Sequence, residues 1–405
     1  MDTEVRDARP VGRLAAAMTL VVVVLVALAL RPPFTAVAPL LENIQRDLAV
    51  SGTFGGVLTT LPVVCLGAFA FIAPRLRQRF GDERVLLGCL VVLLVGNSLR
   101  SLGDIGTLLA GTVIVGAGIA VANVAVPGLI KRDFPGNVPT VTAVYTMCLT
   151  LGGAMAASVV VPIGAALDSA WQAPLGLLAV PVGIALVISL VAVRHSSGAP
   201  PLPASPGRLW RSPLAWQLTF FMGLQSSLAY VVFGWLPTML QSRGMSPEMA
   251  GIALGVQASI QATGSLSIPV LCRRMRDQRA MIAVLGLLLM LGFSGILLGP
   301  TAGLWPAVAV LGFAQGAAFG LALTLLGLRA PDSDTTTALS GMAQGGGYLI
   351  ASAGPLLVGL LHDLTEGWAV PAVLILACAA GWLAFGLSVG RPVQVPSVIG
   401  GVTRN

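Results

Sequence analysis

Apolar segments long enough to cross a membrane recur along the whole chain and are separated by short polar breaks. A helix needs about 20 residues to span the hydrocarbon core of a bilayer. The ten-residue alternation of apolar and polar positions that marks an outer-membrane barrel is absent. The pattern therefore predicts an all-α integral membrane protein with twelve transmembrane helices. The predicted spans are 16–41, 52–74, 85–102, 106–130, 139–165, 172–193, 213–240, 249–271, 280–299, 304–328, 337–361 and 369–390.

The longest interior polar segment divides these spans into two groups of six. It contains the Pro-rich run 196–207, which has the composition of a flexible linker. The breaks after the second and eighth spans also resemble each other, because Arg79-Phe-Gly-Asp-Glu-Arg84 is followed 195 residues later by Arg274-Met-Arg-Asp-Gln-Arg279. Parallel six-helix repeats are the signature of the major facilitator fold. The predicted units are an N-terminal six-helix bundle at 1–193, a cytoplasmic linker at 194–212 and a pseudo-symmetric C-terminal six-helix bundle at 213–405.

Composition and charge fit this assignment. Only 10% of the residues are charged, whereas soluble proteins carry roughly 25%. The net charge of +7 comes from basic residues concentrated in alternate breaks, as the positive-inside rule describes for cytoplasmic loops. We therefore expect a multi-pass protein of the cytoplasmic (inner) membrane with both termini cytoplasmic, and no nucleic-acid partner. The predicted cytoplasmic breaks contain Arg75, Arg77, Arg79, Arg84, Lys131, Arg132, Arg194, Arg208, Arg211, Arg273, Arg274, Arg276, Arg279 and Arg329, and the other breaks contain Arg46, Arg100 and Arg243.

Polar side chains are distributed unevenly among the predicted spans. The third, sixth, ninth and twelfth spans are nearly bare of them, whereas the other eight carry amides, hydroxyls and one cation. Because lipid cannot hydrogen-bond polar groups, such side chains face the bundle interior or a wet cavity. The eight polar spans are therefore predicted to line a solute path. The candidate substrate-binding residues are Arg31, Thr35, Asn123, Tyr145, Gln225, Tyr230, Gln315, Gln344 and Tyr348.

Helix packing is the alternative role for residues of this kind. Amide and hydroxyl groups join helices in lipid at roughly 0.6 kcal/mol each. Gln257 and Gln261, four residues apart on the eighth span, fit that role as well as they fit ligand contact. The three tyrosines lie several residues inside their spans rather than at the interfacial belts. That position favours a site role, because a buried tyrosine hydroxyl usually needs a partner.

Arg31 is the strongest single candidate because it lies within a long apolar stretch and has no acidic residue within two turns. A charge at membrane depth costs at least ~2.5 kcal/mol and marks a functional site by default. A cation without an acid points to an anionic or electron-rich ligand. The alternative is a snorkelling side chain, since a rise of ~1.5 Å per residue from Arg13 puts Arg31 ~27 Å along the helix. The apolar run continues to Leu41, which favours the site role.

The sequence offers few residues for proton coupling, metal binding or catalysis within the spans. No carboxylate is clearly mid-membrane, and Glu42, at the exit of the first span, is a marginal candidate. The solute is therefore expected to carry its own proton, to exchange with another anion or to follow its gradient. The five cysteines lie within or beside apolar segments without metal-ligand spacing. We predict no metal site and no cofactor, and the lack of a catalytic constellation predicts that the protein is not an enzyme.

A set of short motifs runs through both halves of the chain. They are Leu30-Arg-Pro-Pro-Phe-Thr-Ala-Val-Ala-Pro-Leu-Leu41, Leu58-Thr-Thr-Leu-Pro62, Ile130-Lys-Arg-Asp-Phe134, Gly223-Leu-Gln-Ser226 with Tyr230 and Trp235-Leu-Pro237, and Leu339-Ser-Gly-Met-Ala-Gln-Gly-Gly-Gly-Tyr348 with Gly354-Pro355. Together they resemble the cyanate/2-nitroimidazole transporter family of the major facilitator superfamily. The resemblance implies transport of small polar solutes, including a linear anion and nitro-heterocycles. It also implies solute contact by Arg31, Gln225, Tyr230, Gln344 and Tyr348.

The break after the second span departs from the pattern Gly-x-x-x-Asp-Arg-x-Gly-Arg-Lys that is usual in this superfamily. It reads Pro74-Arg-Leu-Arg-Gln-Arg-Phe-Gly-Asp-Glu83, so Gln78 replaces the acid while Arg79 and Gly81 match. The lock between helices that this loop provides in the superfamily therefore needs a different acid here. Asp82 and Glu83 are the candidates.

The overall prediction is a secondary-active transporter and functional monomer. It moves a small polar, anionic or nitro-bearing solute by alternating access, with a central cavity between the halves and Arg31 as the anion anchor. The alternative is a membrane receptor that binds a small anion without translocating it. The lack of a sizeable soluble domain argues against a receptor, because little of the chain remains for signalling.

Overall fold

A computed structural model describes residues 13–50, 52–169, 171–193 and 207–398. Residues 194–206, most of the predicted linker, lie outside the described residues, so the linker and the boundaries of the two bundles stay predictions. The secondary structure of the described ranges is helical throughout. The helices are α1 (Arg13–Leu30), α2 (Pro32–Thr35), α3 (Val37–Asp47), α4 (Gly52–Ala70), α5 (Ala73–Phe80), α6 (Asp82–Arg100), α7 (Ile105–Asp133), α8 (Val138–Ala166), α9 (Gln172–Leu177), α10 (Ala179–Val193), α11 (Gly207–Trp210), α12 (Pro213–Gln241), α13 (Pro247–Arg274), α14 (Arg279–Leu297), a 3₁₀ turn (Thr301–Gly303), α15 (Leu304–Arg329), α16 (Ser333–Thr365) and α17 (Ala369–Val389).

Each predicted span overlaps a helix or a broken helix of the described chain. The first span comprises α1–α3, the second comprises α4 and α5, and the sixth comprises α9 and α10. Among the described residues nine helices are long and apolar enough to cross a membrane, or ten if the second span, bent by 53°, counts as one. The third and eighth spans, α6 and α13, fall outside that set because α6 carries charges at both ends and α13 is rich in glutamine and serine.

The first span breaks because two consecutive prolines follow Arg31. Proline has no backbone N–H and clashes with the preceding turn, so an uninterrupted α-helix cannot pass through Pro32 and Pro33. The short helix α2 replaces it, and the amides of Phe34 and Thr35 donate to the carbonyl of Arg31 at 3.0 and 3.1 Å. The break therefore places the backbone and side chain of Arg31 at a discontinuity of the helix.

The two halves carry equivalent contacts at the repeated Arg-x-x-Asp-x-Arg segment. In the N-terminal half Arg132, at the end of α7, pairs with Glu83 at 2.7 Å at the start of α6. In the C-terminal half Arg329, at the end of α15, donates to Gln278 just before α14. Glu83 and Gln278 are the residues that the 195-residue offset equates. Each half therefore has a bond between the corresponding helices at this segment, although its donors, Arg132 and Arg329, are 197 residues apart and not 195.

Two of the three arginines in the less basic breaks, Arg100 and Arg243, donate hydrogen bonds to backbone carbonyls. Arg100 ends α6 and is 1% exposed, not in a loop. Arg243 donates from Nη1 to the carbonyl of Leu297 at 2.6 Å and from Nη2 to that of Gly299. Arg46 is exposed. Arg77, Arg132, Arg279 and Arg329 are likewise bonded in the more basic breaks, and the larger number of free cations among the described residues stays on that side.

Candidate functional site

Arg31 lies where the two halves of the protein meet. Its guanidinium carbon is 5.7 Å from the ring centroid of Phe319 on α15, in the C-terminal half. A cation over an aromatic face is stabilised by the ring quadrupole. The side chain is half-buried. Among the described residues no carboxylate lies within ion-pair distance of Arg31.

All three tyrosines of the chain gather around Arg31. Tyr145 on α8 is 1% exposed, Tyr348 on α16 is 5% exposed and Tyr230 on α12 is half-buried. The guanidinium of Arg31 is within electrostatic range of all three phenol groups. The ring of Tyr230 also lies 6.2 Å from that of Phe34, on the break of the first span. All four are candidate substrate-binding residues, and the structure places them near one another. Their role in solute binding stays a prediction.

A chain of hydrogen bonds joins Tyr145 and Tyr348 across the two halves. The Tyr145 hydroxyl donates to Asn123 Oδ1 at 2.9 Å. The Gln344 amide donates to the carbonyl of Asn123 at 2.9 Å and to the Ser340 hydroxyl at 2.7 Å. The Tyr348 hydroxyl donates to Gln344 Oε1 at 3.4 Å. Asn123 and Tyr145 belong to the N-terminal half and the others to α16, so this chain couples the halves beside Arg31.

Thr35, Gln225 and Gln315 lie differently from these residues. The Thr35 hydroxyl donates to the carbonyl of Gly153 at 2.8 Å and ties α2 to α8. Gln225 is buried on α12, and its Oε1 accepts a 3.4 Å bond from the Ser226 hydroxyl. Gln315 belongs to a separate cluster of amide side chains. Their role as substrate contacts stays a prediction.

The amide cluster consists of Gln257, Gln261 and Gln315. Gln257 Nε2 donates to Gln315 Oε1 at 2.9 Å, and Gln261 Nε2 donates to Gln257 Oε1 at 3.2 Å. Gln315 Nε2 donates to the carbonyl of Leu228 at 3.1 Å. The cluster therefore joins α13, α15 and α12. This geometry favours the packing role over ligand contact for the two glutamines of the eighth span.

We call the end of the bundle that carries Arg77 and Asp334 the Arg77 end. Arg77 on α5 pairs with Asp82 of its own half and with Asp334 at the start of α16, in the other half. Asp82 also pairs with Arg132 at 3.1 Å. Asp82 thus supplies the acid that the motif lacks at Gln78. From Thr335 to Gly345 every residue of α16 is buried, which shows that the halves are closed together at this end.

The opposite end, where α3 terminates at Asp47, is packed less closely. Leu356, Leu360 and Leu364 in the second half of α16 are 62%, 53% and 72% exposed. The second half of α8 is similar, with Met155 64% exposed. We call this the Asp47 end. The two interfacial helices are therefore buried at the Arg77 end and more exposed toward the Asp47 end.

Acidic side chains occupy only helix ends and loops among those that the structure describes. Glu42 belongs to α3, and its side chain lies outside the described part of the structure. The described residues contain no group of three His, Cys, Asp or Glu side chains that could hold a metal ion. The site around Arg31 is thus formed by a cation, phenols and amides.

Three residues near the site were not predicted. The ring of Phe34 lies next to that of Tyr230, and the ring of Phe319 lies next to the Arg31 guanidinium. The Ser340 hydroxyl accepts a hydrogen bond from the Gln344 amide. Apolar aromatic residues in a lining span look the same in sequence as residues that face lipid. A signal for Ser340 was present, because it lies four residues before Gln344 on the same helix face.

Comparisons with known proteins agree with this architecture. The family described as Major Facilitator Superfamily matches residues 20–355. The chain is 36% identical over 378 residues to the 2-nitroimidazole transporter of Escherichia coli (strain K12), covering 92% of this chain and 95% of that protein. It is 35% identical over 373 residues to the uncharacterized transporter YycB of Bacillus subtilis (strain 168), covering 91% and 92%. It is 28% identical over 387 residues to the cyanate transport protein CynX of Escherichia coli (strain K12), covering 94% and 98%.

Solved structures share the fold. The proton:xylose symporter XylE superposes with a TM-score of 0.74 at 12% identity, covering 94% of this chain and 98% of that one. The E. coli fucose:proton symporter FucP superposes with a TM-score of 0.72 at 16% identity, covering 93% and 98%. At such identities the likeness concerns the arrangement of helices alone. It confirms the all-helical fold class that the sequence predicted.

Proposed function

The chain belongs to the Major Facilitator Superfamily, and on that premise we propose that it carries a small anionic or nitro-bearing solute by alternating access, with Arg31 as the anion anchor. Membership makes it a multi-pass membrane transporter with a small-molecule substrate, not an enzyme. This agrees with the transporter predicted from the sequence and disfavours a receptor that only binds. The resemblance to cyanate and 2-nitroimidazole transporters is likewise confirmed by the relatives.

One observation carries the proposal. Arg31 is a half-buried cation inside a membrane-spanning segment, it lies at the contact between the halves, and no described carboxylate pairs with it. An unpaired charge in low dielectric is costly, and an anionic solute offsets that cost. The planar guanidinium can donate two parallel hydrogen bonds to a carboxylate or nitro group. The solute is then the natural counter-charge of Arg31.

The surrounding residues fit a small, polar, flat solute. Tyr145, Tyr230 and Tyr348 supply ring faces and hydroxyls, and the chain through Asn123 and Gln344 supplies donors that can be redirected to a ligand. The relatives' names mention cyanate, an anion, and 2-nitroimidazole, which bears a nitro group. A solute held between Arg31 and Tyr230 touches both halves, so its binding can be coupled to their relative motion.

The sidedness follows from charge. We place the Arg77 end in the cytoplasm because most free Lys and Arg residues lie there, and we accordingly place both termini on the cytoplasmic side of the membrane. The closed Arg77 end supports the proposal of a form that faces the outside. The two six-helix bundles, 1–193 and 213–405, are the units that rock, and one chain forms the complete path.

Transport by reconstituted protein tests the proposal. Wild-type protein in proteoliposomes is expected to accumulate radiolabelled cyanate or 2-nitroimidazole in the vesicle lumen, whereas Arg31→Ala is expected to abolish accumulation without loss of melting temperature. Arg46→Ala is the matched control, because Arg46 is an exposed arginine at the end of the same span. Undiminished uptake by Arg31→Ala would overturn the anchor role, and binding without accumulation by the wild type would favour a receptor.

A further inference from the structure

A second buried arginine holds the break on which Arg31 sits. Arg100, the last residue of α6, is 1% exposed and donates from Nη1 to the carbonyl of Pro33 at 2.7 Å. Pro33 is two residues from Arg31 in the short helix α2. Among the described residues the Arg100 Nε and Nη2 atoms have no hydrogen-bond partner. A lone, buried guanidinium therefore directs its one described bond to the break.

The break is held from both sides by the N-terminal half. On one side Arg100 reaches from α6, and on the other the Thr35 hydroxyl donates to the Gly153 carbonyl of α8 at 2.8 Å. Gly111 on α7 makes room for the approach, because a Cβ there would lie 2.6 Å from Arg100 Cγ. Arg31 projects from this clamped segment toward Phe319 in the opposite half.

We infer that Arg100 is a positioning residue for Arg31: it fixes the α2 break so that the Arg31 guanidinium is presented to the solute at the contact between the halves. The inference rests on the proposed function for its effect on solute binding, but its effect on α2 is independent of that function. It extends the site to α6, the third span, which is nearly bare of polar side chains and is not among the eight spans predicted to line the solute path.

The desolvation cost of the Arg100 guanidinium distinguishes a positioning role from a role in packing alone. Removing a guanidinium from water costs more than one hydrogen bond returns, and well-packed apolar residues of similar volume often replace buried charges without loss of stability. An apolar side chain at position 100 would therefore give the folded protein the same stability as Arg100 does. What the apolar side chain cannot do is donate to the Pro33 carbonyl.

The test combines hydrogen exchange with a double-mutant cycle. Arg100→Met removes the guanidinium and keeps the apolar stem. We expect the amides of residues 34–37 to exchange about tenfold faster, 2-nitroimidazole or cyanate to bind about tenfold more weakly and the melting temperature to stay the same or rise. Arg243→Met is the matched control, because Arg243 also donates to backbone carbonyls at the Asp47 end but lies in the other half. It is expected to leave exchange at residues 34–37 unchanged.

The double variant Arg31→Ala/Arg100→Met is expected to bind no more weakly than Arg31→Ala alone, because Arg100 acts through Arg31. Arg100→Lys, which keeps a cationic donor on a long stem, should restore most of the slow exchange, and it serves as the folded comparison if Arg100→Met cannot be purified. Unchanged exchange in Arg100→Met, faster exchange spread over the whole chain with a lower melting temperature, or additive losses of affinity would each overturn the inference. If Arg31→Ala binds both probes like the wild type, the proposed function fails, whereas the exchange result still decides the role of Arg100.

Discussion

The ion pair between Arg77 and Asp334 joins the two halves at the Arg77 end, so neutralising Asp334 should release that end. The two side chains are 4% and 11% exposed, which makes this pair far more buried than the surface pairs that contribute roughly 0–1 kcal/mol. Removing one partner of a fully buried pair costs roughly 3–5 kcal/mol. Arg77 keeps Asp82 as a second partner, and the introduced amide can still accept a hydrogen bond. The expected loss in Asp334→Asn is therefore about 1.5 kcal/mol, close to the difference between a charged and a neutral hydrogen bond.

That loss shifts the equilibrium between closed and open forms of the Arg77 end by roughly tenfold. Spin labels at the exposed positions Gln78 and Arg276, one in each half, would report it as a distance distribution in a background without the native cysteines. Asp334→Asn should raise the longer-distance population about tenfold. Asp277→Asn is the matched control, because Asp277 pairs with Arg279 in the equivalent break of the other half and forms no ion pair between the halves among the described residues. A distribution unchanged from the wild type, or an equal shift in the control, would refute the reasoning.

Three further substitutions test the Tyr145–Asn123 hydrogen bond, the amide cluster and the packing of the halves at the Arg77 end. Tyr145→Phe breaks the bond to Asn123 and should weaken 2-nitroimidazole binding about fivefold, as measured by calorimetry; unchanged affinity would remove this bond from the site. Gln315→Leu leaves the amide cluster incomplete and should lower stability by about 1–3 kcal/mol with affinity retained. Lost affinity at constant melting temperature would instead support the substrate contact predicted from the sequence. Gly128→Val would overlap Thr337 across the halves, so the same spin-label measurement should report an opened Arg77 end, and a closed end would contradict this packing.

Much of the site could be predicted because polarity inside a membrane is conspicuous. Arg31 stands out as a single cation in an apolar run. Tyr145, Tyr230 and Tyr348 could be grouped with it because a phenol inside a span needs a polar neighbour. Each of these inferences rests on the free-energy cost that a charged or hydroxyl group would incur if it faced lipid. The break at Pro32 and Pro33 was not predicted, because the first span was expected to run without interruption over 16–41.

The remainder depends on helix packing, which spacing along one helix does not encode. Phe319 faces Arg31 only because α15 brings it there, and its apolar ring carries no sequence signal. Gln315 was grouped with the site because its polarity was visible, but its bonding partners on α13 were not. Arg100 looked like a loop cation because a charge at the end of a span is ambiguous until the neighbouring helix is placed. Arg100 can be buried because Gly111 lets α6 and α7 approach each other closely, and the sequence of α6 alone does not show that approach.

The central claim is that the solute's negative charge or nitro group is held by Arg31, and its most direct test is the affinity of purified protein for cyanate and 2-nitroimidazole. Calorimetric titration of wild-type, Arg31→Lys and Arg31→Ala protein measures the contribution of the guanidinium. Arg31→Ala is expected to bind at least roughly tenfold more weakly, since a charge-assisted hydrogen bond contributes about 1.5–3 kcal/mol, and Arg31→Lys is expected to retain part of the affinity. Equal dissociation constants for wild-type and Arg31→Ala protein would contradict the claim.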